Sequence, residues 1–257
     1  MLRTVTDLPS ATWPSALSAA FLSVRCYGQQ QRWQPISSSP PSAAARAPQI
    51  SNTPPVLKND TWIRAAATAG MITPFVPNLI RAHRFPTETG GWQETKLLSY
   101  GCSSYGYDLR LSPKEFLVFR HVPGSIMDPK AFNPLNLESA VLNEDENGAY
   151  FVLPAHSYGL GVALEHLRIP ANITCLFIGK STYARCGIVA NTTPGEAGWH
   201  GHLTLELSNS SGADCRIYTN EGIVQALFFE GAPCETSYSD RSGKYQNQPE
   251  AITTARV

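Results

Sequence analysis

From residue 105 to residue 231 the chain is a succession of short apolar runs, each stopped by Gly, Pro, Asn or Asp. They are YGYDLRL (105–111), EFLVFRHV (115–122), AYFVLP (149–154), GLGVALEHL (159–167), TCLFIG (174–179), HLTLELSN (202–209) and IVQALFFEG (223–231). Runs of this length, rich in branched and aromatic residues and bounded by turn formers, read as strands, and the region has no sustained helical period. The fold class this dictates is all-β, a barrel or sandwich. One helix precedes it. Asn59 or Asp60 caps TWIRAAATAG, and Gly70 ends it.

The folded domain is expected over residues 57–257, because the composition changes there. Residues 1–56 hold a single acid, Asp7, against four arginines, and 36–55 are rich in Ser, Pro and Ala. Such a segment cannot bury enough apolar surface to offset its ordering entropy. We read it as an unstructured extension in preference to an organelle-targeting peptide, which places the protein in the cytoplasm. Zero formal net charge argues against nucleic acid as a partner. No run of eighteen apolar residues occurs to span a membrane. Six scattered cysteines without a C-x-x-C pair fit free thiols in a reducing setting.

GKSTYARCG (179–187) ends like a phosphate-binding P-loop. That loop needs a second glycine five residues before Gly179, and Thr174 stands there; Cys175 to Ile178 are bulky and apolar. Lys180, Ser181 and Arg185 remain as an anion-binding group of another geometry. The zinc-deaminase signature is also missing: there is no H-x-E, and Cys234 is followed by Glu235, Thr236 and Ser237 instead of completing P-C-x-x-C. His200 and His202 read as loop or strand-edge residues.

In HLTLELSN the leucines 203, 205 and 207 point one way, Thr204 and Glu206 the other. By itself Glu206 is an ordinary surface glutamate. SYSDRSGKYQNQ (237–248) is either a polar tail or an arm that orders over an anionic ligand, with Tyr238, Arg241, Lys244 and Gln248 in reach.

Taken together, SSYGYDLRL, GKSTYARCGI, GHLTLELSN, NEGIVQALFFEG and DRSGKYQNQ resemble bacterial dCTP deaminase, of the trimeric dUTPase-like superfamily, from about residue 58 to the end. The resemblance implies a distorted, jelly-roll-like β-barrel with a short N-terminal helix and a few further short helices. It implies zinc-independent hydrolysis of dCTP to dUTP and ammonia, Mg²⁺ travelling with the triphosphate, a homotrimer with sites between subunits, and dTTP as a feedback inhibitor. Carried over by position, Glu206 is the catalytic glutamate, assisted by Ser181 and Arg185. The nucleotide is bound by Lys180, Ser181, Thr182, Tyr183, Ala184 and Arg185, by Thr204, Leu205 and Glu206, and by Gln225, Tyr238, Lys244 and Gln248. Arg185 is expected to hold Glu206 in place.

The loop CGIVANTTPGEAG (186–198) resembles a shorter branch of the family, which leaves the dTTP switch open. A dUTPase would carry an aspartate in a D-x-G-Y/F-like turn; GEAGWHG has Glu196 and no Asp. A bifunctional enzyme giving dUMP and pyrophosphate, helped by Glu196 or Asp108, and a non-catalytic nucleotide-binding trimer are the alternatives.

Overall fold

The computed structural model describes residues 56–86 and 89–256. The expectations for residues 1–55 lie outside them.

The first helix, α1, spans Asp60–Thr68. Asn59 is its cap, accepting the Trp62 N–H at 3.1 Å. Asp60 sits in the first turn, where a carboxylate favours the helix dipole, and pairs with Arg64. Ile63 and Ala67, one turn apart, face the core. Gly70 ends the segment at φ 91.

Fourteen strands follow among the described residues. The first seven are β1 (Ile72–Thr73), β2 (Ile80–Pro86), β3 (Trp92–Ser103), β4 (Gly106–Phe119), β5 (Leu137–Ser139), β6 (Asn143–Asp145) and β7 (Gly148–Leu153). After these come β8 (Tyr158–Arg168) and β9 (Ile173–Gly179), then the one-turn helix α2 (Ser181–Ala184). The last are β10 (Ile188–Ala190), β11 (Thr193–Gly195), β12 (His200–Asn209), β13 (Cys215–Tyr218) and β14 (Gly222–Glu230).

The large sheet runs β10-β12-β8-β4-β14-β9-β11, with β1 on β8, β5 on β4, and β2 joined through β3 to β4; β13-β7-β6 form a second sheet. The large sheet curls until its far parts meet: a Cβ built on Gly179, at the end of β9, would lie 3.3 Å from the Ala190 side chain at the end of β10. The all-β expectation and the distorted barrel both stand. Inside lie Tyr107, Leu109 and Leu111 of β4, Val162 and Leu167 of β8, Leu205 and Leu207 of β12, and Val224 and Phe228 of β14. Phe116 stacks on Phe151 at 5.3 Å and ties the two sheets together. Gly159 is required beneath that ring, because a Cβ there would come within 2.7 Å of Phe116.

Two expectations need correction. YGYDLRL and EFLVFRHV are one strand, β4; between Leu111 and Phe116 its register against β8 slips. Pro113 lies in the gap, unable to donate to the ladder, and the result is a bulge and not a turn. The hairpin β2–β3 escaped the apolar pattern altogether, since the outer part of β3, from Trp92 to Glu94, is exposed on both faces.

Candidate active site

Strand β12 lies between β10 and β8, with Glu206 opposite Leu160. Beside it opens a cavity of about 700 Å³. One wall is β12, presenting Leu203, Thr204 and Glu206; a second is apolar, from Phe119, Phe132 and Leu160. The third is the C-terminal segment, which contributes Tyr238, Lys244 and Gln248 among others.

That segment packs beside the start of β12. A turn starts it: the Ser237 hydroxyl and N–H both donate to Asp240, at 2.6 and 2.9 Å, and hold its carboxyl below the usual range. The Tyr238 hydroxyl accepts from the Tyr245 N–H at 2.9 Å, and the Trp199 indole donates to the Tyr245 carbonyl at 2.8 Å. Arg241 pairs with Glu196 and lies 5.2 Å over the Tyr238 ring. Further on, the Thr204 hydroxyl donates to Gln248 Oε1 at 3.0 Å and accepts from the Thr253 N–H at 3.1 Å. This buries Thr204, which simple alternation had left on the open face with Glu206. The strand slips register between His202 and Thr204, so Leu203 and Thr204 are both covered.

Glu206 is half-buried. Asn191 grips it twice. Its side-chain amide donates to Glu206 Oε2 at 2.8 Å, and its backbone N–H donates to the Glu206 carbonyl at 2.9 Å. Glu206 lines the cavity. Across the same sheet surface, Tyr158 has its hydroxyl pushed up by burial and then by the Glu206 charge.

The remaining expected residues form a separate cluster. Lys180 pairs with the Asp108 carboxylate and donates to Ser99 Oγ at 3.0 Å. The Gln225 amide reaches the other Asp108 oxygen at 3.1 Å. Tyr183 is buried, its hydroxyl accepting the Tyr218 N–H at 2.8 Å, and burial pushes that hydroxyl up. Ser181, Thr182 and Ala184 belong to α2, and Arg185 caps it, its guanidinium donating to the Ser181 carbonyl at 3.1 Å. Leu205 points into the core, so only its backbone is available. A single chain therefore gathers Thr204, Glu206, Tyr238, Lys244 and Gln248 around the cavity, while Lys180–Arg185 and Gln225 lie outside its lining. Within one chain the group that holds Glu206 is Asn191 and not Arg185. Sequence reasoning missed Asn191, because its place beside Glu206 follows from the β10–β12 register, in which Ala190 faces Leu207.

A family model described as dCTP deaminase-like matches residues 58–231. The dCTP deaminase of Chlamydia muridarum is 47% identical over 194 residues, covering 75% of this chain and 95% of that protein. The dCTP deaminase of Alcanivorax borkumensis is also 47% identical, with the same coverage. Among solved structures, the 2'-deoxycytidine 5'-triphosphate deaminase of Agrobacterium tumefaciens aligns with a TM-score of 0.43 at 17% identity, over 68% of this chain and 48% of that one.

Proposed function

The chain belongs to the dCTP deaminase-like family, and from that premise we propose that it hydrolyses dCTP to dUTP and ammonia, acting on the C–N bond of the pyrimidine's cyclic amidine. The observation that carries this is Glu206, gripped by Asn191 on one carboxylate oxygen and lining the cavity. Glu206 takes a proton from water as its oxygen bonds to C4, and gives that proton to N3. From the tetrahedral carbon it then moves the hydroxyl proton to the amino group, and the C4–N bond breaks with its electron pair leaving on ammonia. Thr204 and the β12 backbone read the pyrimidine edge. Tyr238, Lys244 and Gln248 hold the nucleotide from the arm.

We assign the cluster of Lys180–Arg185 and Gln225 to the pocket of an adjacent subunit in a homotrimer, with Ser181 ordering the water and Arg185 meeting developing charge. Supporting this, exposed Val189 and Tyr158 flank Ser208 on the Glu206 face of the sheet, an apolar patch suited to a neighbour. Mg²⁺ would enter with the triphosphate. Among the described residues no group of three His, Cys, Asp or Glu forms a cage, and Mg²⁺ bound mainly through phosphates and water needs none. The two carboxylates of the bifunctional alternative are engaged, Glu196 by Arg241 and Asp108 by Lys180, which supports dUTP as the released product. dTTP is the expected competitor for the same triphosphate site. A cytoplasmic location fits the five free cysteines among the described residues.

Ammonia release is measured with dCTP, CTP and dCMP in Mg²⁺, with products separated by chromatography. dCTP is expected to be the preferred substrate and dUTP to accumulate; dUMP with pyrophosphate would show the bifunctional reaction instead. Glu206→Gln should bind nucleotide and lose roughly 10²–10⁴-fold in turnover. Near-normal turnover in that variant would remove the assignment.

A further inference from the structure

Where the C-terminal arm crosses the start of β12, its backbone runs beside Trp199–His202. The Asn247 N–H donates to the His200 carbonyl at 3.0 Å, and the His202 N–H donates to the Gln248 carbonyl at 2.9 Å. Gly201, at φ 142, lets them approach; a Cβ there would stand 2.6 Å from the Gln248 nitrogen.

The side chain of Gln246 locks this seam. Its amide nitrogen donates to the Gly198 carbonyl at 2.9 Å, and its Oε1 accepts the His200 N–H at 3.2 Å. Those two backbone partners fix which end of the amide is which. The same amide nitrogen lies 2.8 Å from His200 Nδ1. His200 Nδ1 must therefore accept, and its ring must be neutral. A proton on Nδ1 would set N–H against N–H, and the amide cannot flip without losing both backbone bonds. His202 differs: its Nδ1 donates to the Ala163 carbonyl at 3.1 Å, a bond that survives protonation.

Further basic groups stand around His200. On β8 stand His166, its ring centroid 6.4 Å away, and Arg168 opposite in register. His202 follows on β12, 5.3 Å from His166. Of the acids nearby, Glu196 in the preceding loop is taken by Arg241, and Glu250 in the arm by Lys114. Burial, then His202, His200 and Arg168, push the His166 imidazole down.

We propose that His200 is a positioning residue for nucleotide binding: its neutral ring latches the arm through Gln246, and protonation releases the arm. This rests on the deaminase reading, in which the arm supplies Tyr238, Lys244 and Gln248 to the substrate. A proton on Nδ1 and the docked arm compete for the same lone pair, so the arm loosens as the solution is made more acidic.

Two measurements test it. The first is amide exchange over residues 245–248 in the nucleotide-free protein, corrected for the intrinsic rate, at pH 7.5 and 5.5. Native protein should lose about tenfold in protection at the lower pH. His200→Asn, which places an accepting oxygen near the Nδ1 position and cannot be protonated, should stay protected at both. The second is KM and kcat for dCTP over the same range. The native KM should rise more than that of His200→Asn, in step with the fall in the docked fraction and so by less than the loss of protection, with kcat alike in the two. Because both enzymes see the same substrate ionisation, the difference belongs to the latch. Gln246→Ala, which removes the donor, should show weak protection at both pH values. Native protection that does not change with pH, or that changes equally in His200→Asn, overturns the proposal. Exchange needs no turnover, so a chain that shows the latch yet releases no ammonia would sink the deaminase reading alone.

Discussion

Asn191 decides how Glu206 presents itself. By donating to one carboxylate oxygen it restrains the side chain at the cavity wall, and in the proposed reaction the other oxygen serves the water. A neutral side-chain hydrogen bond of this sort contributes about 1 kcal/mol, more when the acceptor is ionised. Asn191→Ala should therefore lower kcat about tenfold with KM little changed, since about 1.4 kcal/mol of positioning corresponds to a factor of ten. Asn191→Asp should cost more and move the acidic limb of the pH–rate profile upward, because a second carboxylate beside Glu206 makes the first harder to ionise. Ammonia-release rates from pH 5.5 to 8.5 check both. Glu206, Thr204 and the arm residues were legible in the sequence because they fall inside contiguous motifs. Asn191 was not: fifteen positions separate it from Glu206, and only the pairing of two strands brings them together.

The same limit holds for strands and their partners. Buried strands were found because their apolar runs are dense; β4 was broken in two because Ser112-Pro113-Lys114 imitates a turn. β2 and β3 were missed because the outer part of their hairpin lacks a buried face, leaving Trp92 at 73% exposure. Pattern also said nothing of the ion pair that couples β4 to β8. Arg110 donates to Glu165 twice, from its N–H at 2.9 Å and its Nε at 2.7 Å, and Glu165 is 0% exposed. Burial pushes the Glu165 carboxyl up, and Arg110 pulls against it. A carboxyl raised in the fold adds stability below its unfolded value, about 4.3, and loses that stability as pH rises through the folded value. Arg110→Ala leaves Glu165 buried without its cation and should cost about 3–5 kcal/mol at pH 7.5. The cost should shrink toward acid, where Glu165 takes up a proton and needs no cation. Urea unfolding of both proteins at pH 5.5 and 7.5 gives the comparison; a penalty that grows toward acid would contradict the assignment.

The residues expected to meet one nucleotide sit in two places on one chain, and this division makes assembly testable through activity. If each site takes Glu206 from one subunit and Arg185 from the next around a closed ring, neither Glu206→Gln nor Arg185→Ala protein should turn over dCTP appreciably when prepared alone. In a trimer that mixes them, a site is whole when an Arg185→Ala subunit supplies Glu206 and its neighbour, a Glu206→Gln subunit, supplies Arg185. Random assembly from equal amounts gives each position an even chance, so about one site in four should be intact. Co-expression of the two variants, with the whole trimer population purified, is expected to restore roughly a quarter of native ammonia release. Simple mixing of preassembled variants should restore little until subunits exchange, and the recovery should follow the exchange rate. Were both groups to act within one chain, every subunit would carry a defect and no mixture would recover activity. The outcome thus separates a site shared between subunits from one in which α2 swings toward Glu206 of its own chain.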